Sequence, residues 1–444
     1  MIDTALLERE SKGHPIRVGM VGAGAEGRAI ALQLGSPVPG IRLVGIANRT
    51  LKNGETAFFQ AGIAGWLYAA SPMEAEKAIA AGNPVLTDDP SVLTACDAID
   101  VIIEVTGTVD VAAETCLAAF KHGKHVVLVN AELDSLLGPI LKAKADQAGV
   151  VITHTDGDEP GVAMTLLRYL RSVGLRPVAA GNLKGMVDHY RTPETQRAFA
   201  EKNGLNAKKA SSFADATKLS MEGTVLANAT GFQVGRRGMY GPACENVQEM
   251  GHLLPADQML KTGLVDYALG AAPYTGAFVI VYEDSALKQV QLAYYKLGNG
   301  PFYVFYTPYH LPHVQIASTI GRAFLHRDPT IVPMAGPICE VVAVAKRNLH
   351  AGDHLDGVGG FCAYGLIENT AAAREMGALP IGLSEGCVMI RDICKDDMIS
   401  LADVSLPPYR LADKLWHEQA ARWPNSLPAS ATRSVPERSA RVVR

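Results

Sequence analysis

Ile16-Arg-Val-Gly-Met-Val-Gly-Ala-Gly-Ala-Glu-Gly27 is the stretch that decides the fold of this 444-residue chain. It is apolar up to Val21, turns on glycines and continues as a helical run over residues 28–34. Gly22 permits the turn, Gly24 lets a pyrophosphate approach the backbone, and Gly27 lets the helix pack on the strand. The start of the helix offers free N–H groups and partial positive charge to the phosphates. The stretch predicts a dinucleotide site, the alternative being a structural glycine turn.

The choice of nucleotide is predicted from the end of the second strand, which we place at residues 41–48. NAD enzymes usually carry an acidic residue there, whereas this chain reads Asn48-Arg49-Thr50. A guanidinium pairs with a 2′-phosphate that a carboxylate would repel. We therefore predict NADP(H), with Arg49 as the discriminating residue and Thr50 as a hydrogen-bonding helper. The alternative is that Arg49 is a solvated loop charge.

Further apolar runs alternate with helical segments and predict a doubly wound parallel sheet. The runs are residues 98–106, 125–130 and 149–154. Ligands bind outside the carboxyl ends of such strands. The residues that we expect to contact the nucleotide are Gly22, Gly24, Ala25, Glu26, Gly27, Asn48, Arg49, Thr50, Thr106, Gly107, Asn130 and Ala131.

The character of the sequence changes after Thr155. A helix is predicted over residues 162–173, and a second helix, over residues 314–324, is expected to pack back on the first domain. Antiparallel strands are predicted at 278–282, 290–295 and 302–306. A small β-rich region follows at about 338–408, and residues 424–444 cannot bury a core by themselves. The expected division is 1–157 for the nucleotide-binding Rossmann domain, 158–330 for a central α+β catalytic and dimerisation domain, 331–412 for a small β-rich domain and 413–444 for the tail.

Composition narrows the class of protein. The formal net charge is −4, with no basic excess, which argues against nucleic acid as a partner. No apolar stretch reaches membrane-spanning length, and the first residues lack the apolar core of a signal peptide. The seven cysteines are scattered and form no Cys-x-x-Cys pair, which indicates buried thiols in a reducing cytoplasm.

Two clusters in the central domain combine lysine with carboxylates, the residue types that protonate and stabilise a developing alkoxide. Lys184 and Asp188 are four residues apart, as are Lys218 and Glu222, and Asp215 precedes the second pair. A helix would place each four-residue pair on one face. Surface ion pairs give the same pattern, so both interpretations stand.

Three further groups of residues are candidates for binding. Asp156, Asp158 and Glu159 could hold Mg²⁺ or Mn²⁺, or form a solvated acidic turn. A substrate phosphate or carboxylate could bind His189, Arg191, Arg236 and Arg237, which otherwise form a basic loop. The two histidines of Tyr309-His-Leu-Pro-His313 have a spacing that is poor for a metal site.

The glycine turn, the strand ending Val105-Thr106-Gly107 and the run Asp215-Ala-Thr-Lys218-Leu219 resemble the homoserine dehydrogenase-like oxidoreductases. The stretches 345–353, 378–383 and 391–399 resemble a SAF domain. Together, over residues 10 to 410, the chain is similar to the 1-deoxy-D-xylulose 5-phosphate reductoisomerase-like family.

That resemblance implies NADPH-dependent conversion of 1-deoxy-D-xylulose 5-phosphate to 2-C-methyl-D-erythritol 4-phosphate, the first committed step of non-mevalonate isoprenoid synthesis. It also implies a divalent cation, a small phosphorylated substrate and a homodimer. One alternative is a dehydrogenase of homoserine or a related hydroxy acid. The lysine usual after Asn130 in homoserine dehydrogenases is replaced in Asn130-Ala-Glu132, which favours a different substrate. The other alternative is a nucleotide-binding sensor without turnover.

Overall fold

The computed structural model describes residues 1–334 and 336–424, and its N-terminal part is built on a seven-stranded parallel sheet. The strands are β1 (Ile16–Val21), β2 (Ile41–Ala47), β3 (Leu67–Tyr68), β4 (Val85–Thr87), β5 (Val101–Glu104), β6 (His125–Leu128) and β7 (Ile152–His154). Their order is β3-β4-β2-β1-β5-β6-β7. The strand order therefore reverses between β1 and β5, and a crevice for a ligand opens there at the carboxyl ends.

Helices cover both faces of this sheet. They are α1 (Ile2–Ser11), α2 (Ala25–Gly35), α3 (Leu51–Gln60), α4 (Pro72–Ala80), α5 (Pro90–Ala95), α6 (Asp110–Lys121) and α7 (Ala131–Gln147). Successive residues of β5 are fully buried, as expected for a strand covered on both faces. The predicted α/β class with an N-terminal parallel sheet is confirmed, although the central strands are shorter than predicted.

The middle of the chain forms a four-stranded mixed sheet flanked by helices. Its elements are α8 (Glu159–Ser172), β8 (Arg176–Lys184), α9 (Arg197–Asn203), α10 (Ala207–Ala214), α11 (Thr217–Thr230), α12 (Met250–Leu253), α13 (Ala256–Lys261), β9 (Leu264–Leu269), β10 (Ala277–Tyr282), α14 (Ala286–Tyr294), β11 (Phe302–Thr307) and α15 (Pro312–Gly321). The order is β11-β10-β8-β9, and β10 is antiparallel to both of its neighbours. Ile316 and Ile320 of α15 join the core of the N-terminal sheet, so the predicted return to the first domain is confirmed.

Two predictions for this region are wrong. Residues 290–295 belong mainly to helix α14, not to a strand, because Leu287, Val290 and Tyr294 recur at helical spacing. Lys184 is the last residue of strand β8 and Asp188 lies in the following loop, so the two do not share a helix face.

The C-terminal part is a mixed β region. Its elements are β12 (Cys339–Ala345), β13 (Ala363–Asn369), α16 (Thr370–Glu375), β14 (Val388–Met389), β15 (Val404–Ser405) and α17 (Leu411–Arg422). β12 and β13 pair in antiparallel register from Cys339↔Asn369 to Ala345↔Ala363. Helix α17 lies on α7, where the Gln419 side chain donates to the Leu136 carbonyl (3.0 Å). The predicted tail therefore begins within a packed helix, while residues 425–444 lie outside the described residues.

The C-terminal region is tied to the middle of the chain by buried polar contacts. Lys346 Nζ lies 2.8 Å from Asp215 Oδ2, and both side chains are almost completely buried. The Thr217 hydroxyl accepts from the backbone N–H of Gly365 (2.8 Å). These contacts fix α11, which starts at Thr217, against the hairpin of β12 and β13.

Two findings bear on the compositional predictions. Within residues 1–334 and 336–424, no helix combines the length and apolar character needed to cross a bilayer. The cysteine thiols are free; six are buried as predicted, whereas Cys394 is exposed.

Candidate active site

A cavity of about 580 Å³ lies at the carboxyl ends of β1 and β5 and is lined by the glycine turn. Gly22 has a φ of +110°, and a Cβ there would lie 2.8 Å from the Val105 carbonyl. A Cβ on Gly27 would lie 2.5 Å from the Gly22 oxygen, so the helix approaches the strand closely. Gly24 faces open space instead, with no atom within 4 Å of an added Cβ. Together with the first turn of α2, where Ala25 and Glu26 stand, this is a cradle that fits a diphosphate.

The end of β2 forms the opposite wall of this nucleotide cavity. Asn48 Oδ1 accepts from the Ala23 N–H (3.0 Å), and its Nδ2 donates to the Thr50 carbonyl (2.8 Å). Asn48 thus fixes the glycine turn to the loop that carries Arg49 and Thr50. In the described part of the chain, the exposed Arg49 guanidinium has no carboxylate within 4.0 Å, so it is available to a ligand.

Buried polar contacts hold the turn after β5. The Glu104 carboxylate accepts from the Thr106 N–H and the Asn130 Nδ2, each at 2.8 Å, and burial raises its pKa. Asn130 Nδ2 also donates to the Thr108 carbonyl, and Ala131 is fully buried. Asn130 therefore holds the loop that carries Thr106, which lines the cavity. Glu104 is not among the residues predicted from the sequence, because its role depends on contacts with Thr106 and Asn130.

A second group of polar residues lies where β7, β8 and the starts of α8 and α11 converge. Lys184 Nζ is 2.8 Å from Glu159 Oε1 and 3.4 Å from Glu222 Oε2. Lys218 Nζ is 3.7 Å from Asp158 Oδ2 and 3.9 Å from Glu222 Oε1. We call these five residues the charged cluster; its three carboxylates are almost completely buried.

His154 extends the charged cluster into the protein. Its Nε2 is 2.9 Å from Asp158 Oδ2, and its Nδ1 is 3.2 Å from Asp134 Oδ2. The two carboxylates raise the pKa of His154 to about 9, although burial acts in the opposite direction. His154 is therefore a cation at neutral pH, and it orients Asp158. Neither His154 nor Asp134 was predicted, because their separation along the chain gives no local pattern.

The protonation states of the cluster follow from its burial and its charges. Burial alone would lower the pKa of both lysines, but the facing carboxylates raise it, so both remain cations. Burial would raise the pKa of Asp158, yet Lys218 and His154 lower it well below its ordinary value. Burial and the charge of Glu159 raise the pKa of Glu222 to about 8 against the effect of Lys184. Glu222 can therefore gain or lose a proton near neutral pH.

The segment between β11 and α15 joins this cluster to the nucleotide cavity. His310 Nε2 is 3.5 Å from Glu159 Oε2, and His313 Nδ1 is 3.4 Å from Glu26 Oε1. Burial raises the pKa of Glu26, and the charge of Asp158 adds to that effect. Glu26, in the first turn of helix α2, is therefore close enough to the charged cluster to interact with it electrostatically. The spacing of the two histidines does not predict these contacts, because Glu159 and Glu26 are far from them in the sequence.

The acidic turn at residues 156–159 is buried, so the interpretation as a solvated turn is wrong. Its members separate: Asp156 pairs with the Thr319 hydroxyl, whereas Asp158 and Glu159 enter the cluster. Ligand atoms of Asp158, Glu159 and His310 lie within 4.8 Å of one another. Two carboxylates and an imidazole are a donor set that Mn²⁺ or Mg²⁺ accepts. His310, and not the predicted Asp156, lies beside Asp158 and Glu159.

The other predicted site residues have different partners. Asp215 pairs with Lys346, and Asp188 pairs with Arg191 at 3.0 Å in a half-buried loop. The remaining side chains are held by protein groups: His189 stacks on Tyr364, Arg236 donates to the carbonyls of Met239 and Tyr240, and Arg237 pairs with Glu368. The structure thus brings the predicted Lys184, Lys218 and Glu222 together. Six other predicted residues lie outside the charged cluster: Asp188, His189, Arg191, Asp215, Arg236 and Arg237.

The chain matches two families of known proteins. Residues 22–155 match the family described as homoserine dehydrogenase, NAD binding domain, and residues 157–316 match the family described as oxidoreductase DRL, catalytic domain. None of the curated proteins compared with the chain matches it. The chain is therefore an oxidoreductase with a nicotinamide-nucleotide-binding domain. More particularly, it joins a homoserine dehydrogenase-like nucleotide-binding domain to a DRL-type catalytic domain.

Several solved structures are similar to this chain. A probable dehydrogenase from Thermotoga maritima is 12% identical, with a TM-score of 0.43, and the match covers 71% of this chain and 90% of that one. A homoserine dehydrogenase from Thiobacillus denitrificans is 17% identical, with a TM-score of 0.38 and coverage of 76% and 83%. A scyllo-inositol dehydrogenase from Lactobacillus casei, solved with NAD(H) and scyllo-inositol, is 12% identical, with a TM-score of 0.35 and coverage of 60% and 73%.

Proposed function

We propose that this chain is an NADPH-dependent oxidoreductase that reduces a carbonyl group beside Lys184 and Lys218. The observation that carries the proposal is the charged cluster itself. It places two ammonium groups among three buried carboxylates, next to the helix that begins at the nucleotide turn. Buried ionisable groups with perturbed pKa values are typical of catalytic sites, since structure alone seldom needs them.

The preference for NADPH rests on the wall formed by the end of β2. Arg49 and Thr50 line the nucleotide cavity, and Arg49 is free of carboxylate partners among the described residues. Asp88 and Asp89 also line it, but Asp88 accepts from the Tyr68 hydroxyl and Asp89 caps α5 through the Ser91 N–H. A 2′-phosphate next to Arg49 would accept two charge-assisted hydrogen bonds from the guanidinium.

Each residue of the cluster then has a chemical role. The nucleotide supplies a hydride when it is bound. Lys184 and Lys218 stabilise the negative charge that develops on the carbonyl oxygen, because their ammonium groups are already fixed in a buried site. One of these ammonium groups gives its proton to the product oxygen. Glu222 lies within 4 Å of both lysines and changes protonation near neutral pH, so it returns a proton to the lysine that has lost one.

We propose 1-deoxy-D-xylulose 5-phosphate as the substrate and 2-C-methyl-D-erythritol 4-phosphate as the product. The resemblance of the whole chain to the 1-deoxy-D-xylulose 5-phosphate reductoisomerase-like family supports this choice, and the match to the DRL catalytic domain supports an oxidoreductase. The carbon skeleton first rearranges to an aldehyde of the same composition, and a hydride and a proton then reduce that aldehyde. Asp158, Glu159 and His310 would hold a divalent cation, which would act as a Lewis acid toward the oxygens of the substrate.

A dehydrogenase acting on homoserine is the second candidate, and the match of residues 22–155 favours it. One assay separates the two: oxidation of NADPH is followed by absorbance with the phosphorylated ketose, and reduction of NADP⁺ is followed with homoserine. We expect turnover of the ketose, with Mn²⁺ present. Turnover of homoserine alone would overturn the proposed substrate, and binding of NADPH without turnover of either would favour the sensor.

We also propose that the chain acts as a homodimer and that residues 331–412 form a module of the SAF type. Helix α14 supports a dimer because it has no buried residue, and one of its faces carries Leu287, Val290 and Tyr294, which are 82%, 65% and 72% exposed. Exposed apolar faces of this kind mark contact surfaces. Light scattering after size exclusion measures the mass; a monomer would overturn the dimer.

A further inference from the structure

A cavity of about 420 Å³ lies between the turn after β5, helix α10 and the C-terminal β region. Residues from all three parts of the chain line it, among them Gly107, Glu132, Lys209 and Arg410. Thr106, Thr108 and Val111 line both this cavity and the nucleotide cavity, so the two adjoin. A ligand in this cavity would lie next to the part of the nucleotide cavity that is lined by the turn after β5.

The same cavity reaches toward the charged cluster through Glu132. Glu132 lines the cavity from the first turn of α7, and α7 packs against α11, the helix that carries Lys218. A substrate that extends from the lysines past Glu132 would have its other end in this cavity.

The cations around the cavity differ in their partners. Lys208 lies 3.6 Å from Glu385, and Arg410 makes two hydrogen bonds with Asp413. Lys209 has no carboxylate within 4.0 Å in residues 1–334 and 336–424. Its ammonium extends over Gly107, where an added Cβ would lie 1.9 Å from Nζ. Glycine at position 107 thus makes room for a cation that is not paired with a carboxylate of the described residues.

We propose that this cavity binds the phosphate group of the substrate and that Lys209 is the residue that recognises it. The inference rests on the proposed function for the identity of the substrate. It also gives the C-terminal β region a role, since Ile381, Gly382 and Glu385 form a wall of the cavity. The loop at Gly359 approaches α10 so closely that a Cβ there would lie 2.0 Å from the Lys208 carbonyl. The C-terminal region therefore positions the helix that carries Lys209.

Kinetics of Lys209→Met test the assignment, with Lys202→Met on the exposed face of α9 as the matched control. We expect the KM for 1-deoxy-D-xylulose 5-phosphate to rise roughly tenfold to hundredfold in Lys209→Met, the range for losing a hydrogen bond to a charged group. The Kd for NADPH, measured by fluorescence titration, should stay unchanged, as should both constants in Lys202→Met. An unchanged KM, or an equal rise in the Kd for NADPH, would overturn the assignment.

A second measurement does not depend on turnover. Acetic anhydride labels exposed lysines, and mass spectrometry gives the rate of acetylation at Lys209 and at Lys202. We expect glycerol 3-phosphate to slow acetylation of Lys209 and not of Lys202, and glycerol to slow neither. Equal rates with and without the phosphate ester would overturn the phosphate site. If the ketose is not turned over while the ester still protects Lys209, the proposed substrate fails and the site stands.

Discussion

Lys184 at the end of β8 lies 2.8 Å from Glu159, the first residue of α8, although 25 positions separate them in the chain. The ion pair joins the middle sheet to the helix that follows the nucleotide-binding sheet. It also brings one ammonium to the point where that parallel sheet ends. The nucleotide site and the reactive groups are thus connected by a few buried contacts, which can be tested one at a time.

Lys184→Met and Lys218→Met should each lower kcat for carbonyl reduction roughly 10²–10³-fold, the usual loss when one group that stabilises an oxyanion is removed. Stopped assays of product give kcat, and NADPH fluorescence gives Kd, which should not change. Removing one partner of a buried ion pair also costs about 3–5 kcal/mol of stability. Lys184→Arg keeps the charge but displaces the donor atom, so it should fold and still lose kcat. Wild-type kcat in all three would contradict the assignment.

Arg49→Asp should reverse the preference for the nucleotide. We expect the Kd for NADPH to rise roughly tenfold to hundredfold, because a carboxylate repels the 2′-phosphate that the guanidinium binds. The Kd for NADH should stay the same or fall. Fluorescence titration with both nucleotides measures this, and Lys77→Asp on α4 gives the same change of net charge as a control. A constant ratio of the two Kd values in Arg49→Asp would show that the loop charge has no part in recognition.

Glu222→Gln should remove the basic limb of the pH profile of kcat. In the wild type, kcat for reduction should fall as pH rises through about 8, where Glu222 loses the proton that it supplies. The variant should show a lower kcat without that limb, measured from about pH 6 to about pH 10. Glu340→Gln, a change of another buried carboxylate outside the cluster, should keep the wild-type profile. A limb that persists in Glu222→Gln would assign the proton to another group.

Glu340 on β12 should make folding stability depend on pH. Burial raises its pKa from 4.5 to about 7, against the effect of Arg374. The folded state then binds more protons than the unfolded chain between these values, so stability falls as pH rises through this window. The contribution is at most about 3 kcal/mol. Urea unfolding of the wild type and Glu340→Gln should show the variant gaining relative stability as pH rises from 4.5 to about 7, with a constant difference at higher pH. A difference that is the same at all pH values would contradict this.

The nucleotide-binding fold could be predicted from the sequence because its signals are local. Strands such as β5 are buried on both faces, and the three glycines of the turn, Gly22, Gly24 and Gly27, lie close together in the sequence. The sequence pattern wrongly predicts a strand at residues 290–295, part of helix α14, because aromatic and β-branched residues also favour strands. Its exposed helical face becomes visible only when burial is known.

The charged cluster could be predicted in part. Lys218 and Glu222 are four residues apart on α11, a spacing that the sequence shows. Glu159, Lys184 and His310 meet from three separate elements, and no spacing in the sequence records such a contact. Burial then decides the chemistry, since the same residues at the surface would keep ordinary pKa values.

The pair of Lys346 and Asp215 binds the last third of the chain to the joint between α10 and α11, three residues before Lys218. Lys346 Nζ also donates to the carbonyls of Arg191 and Gly360, so one ammonium crosslinks three segments. Without the C-terminal region, the buried Asp215 carboxylate would lose its cation and keep only the hydrogen bond from the Thr217 N–H at the start of α11. A C-terminal module exchanged between related enzymes must therefore supply a cation to Asp215, or position 215 must change with it.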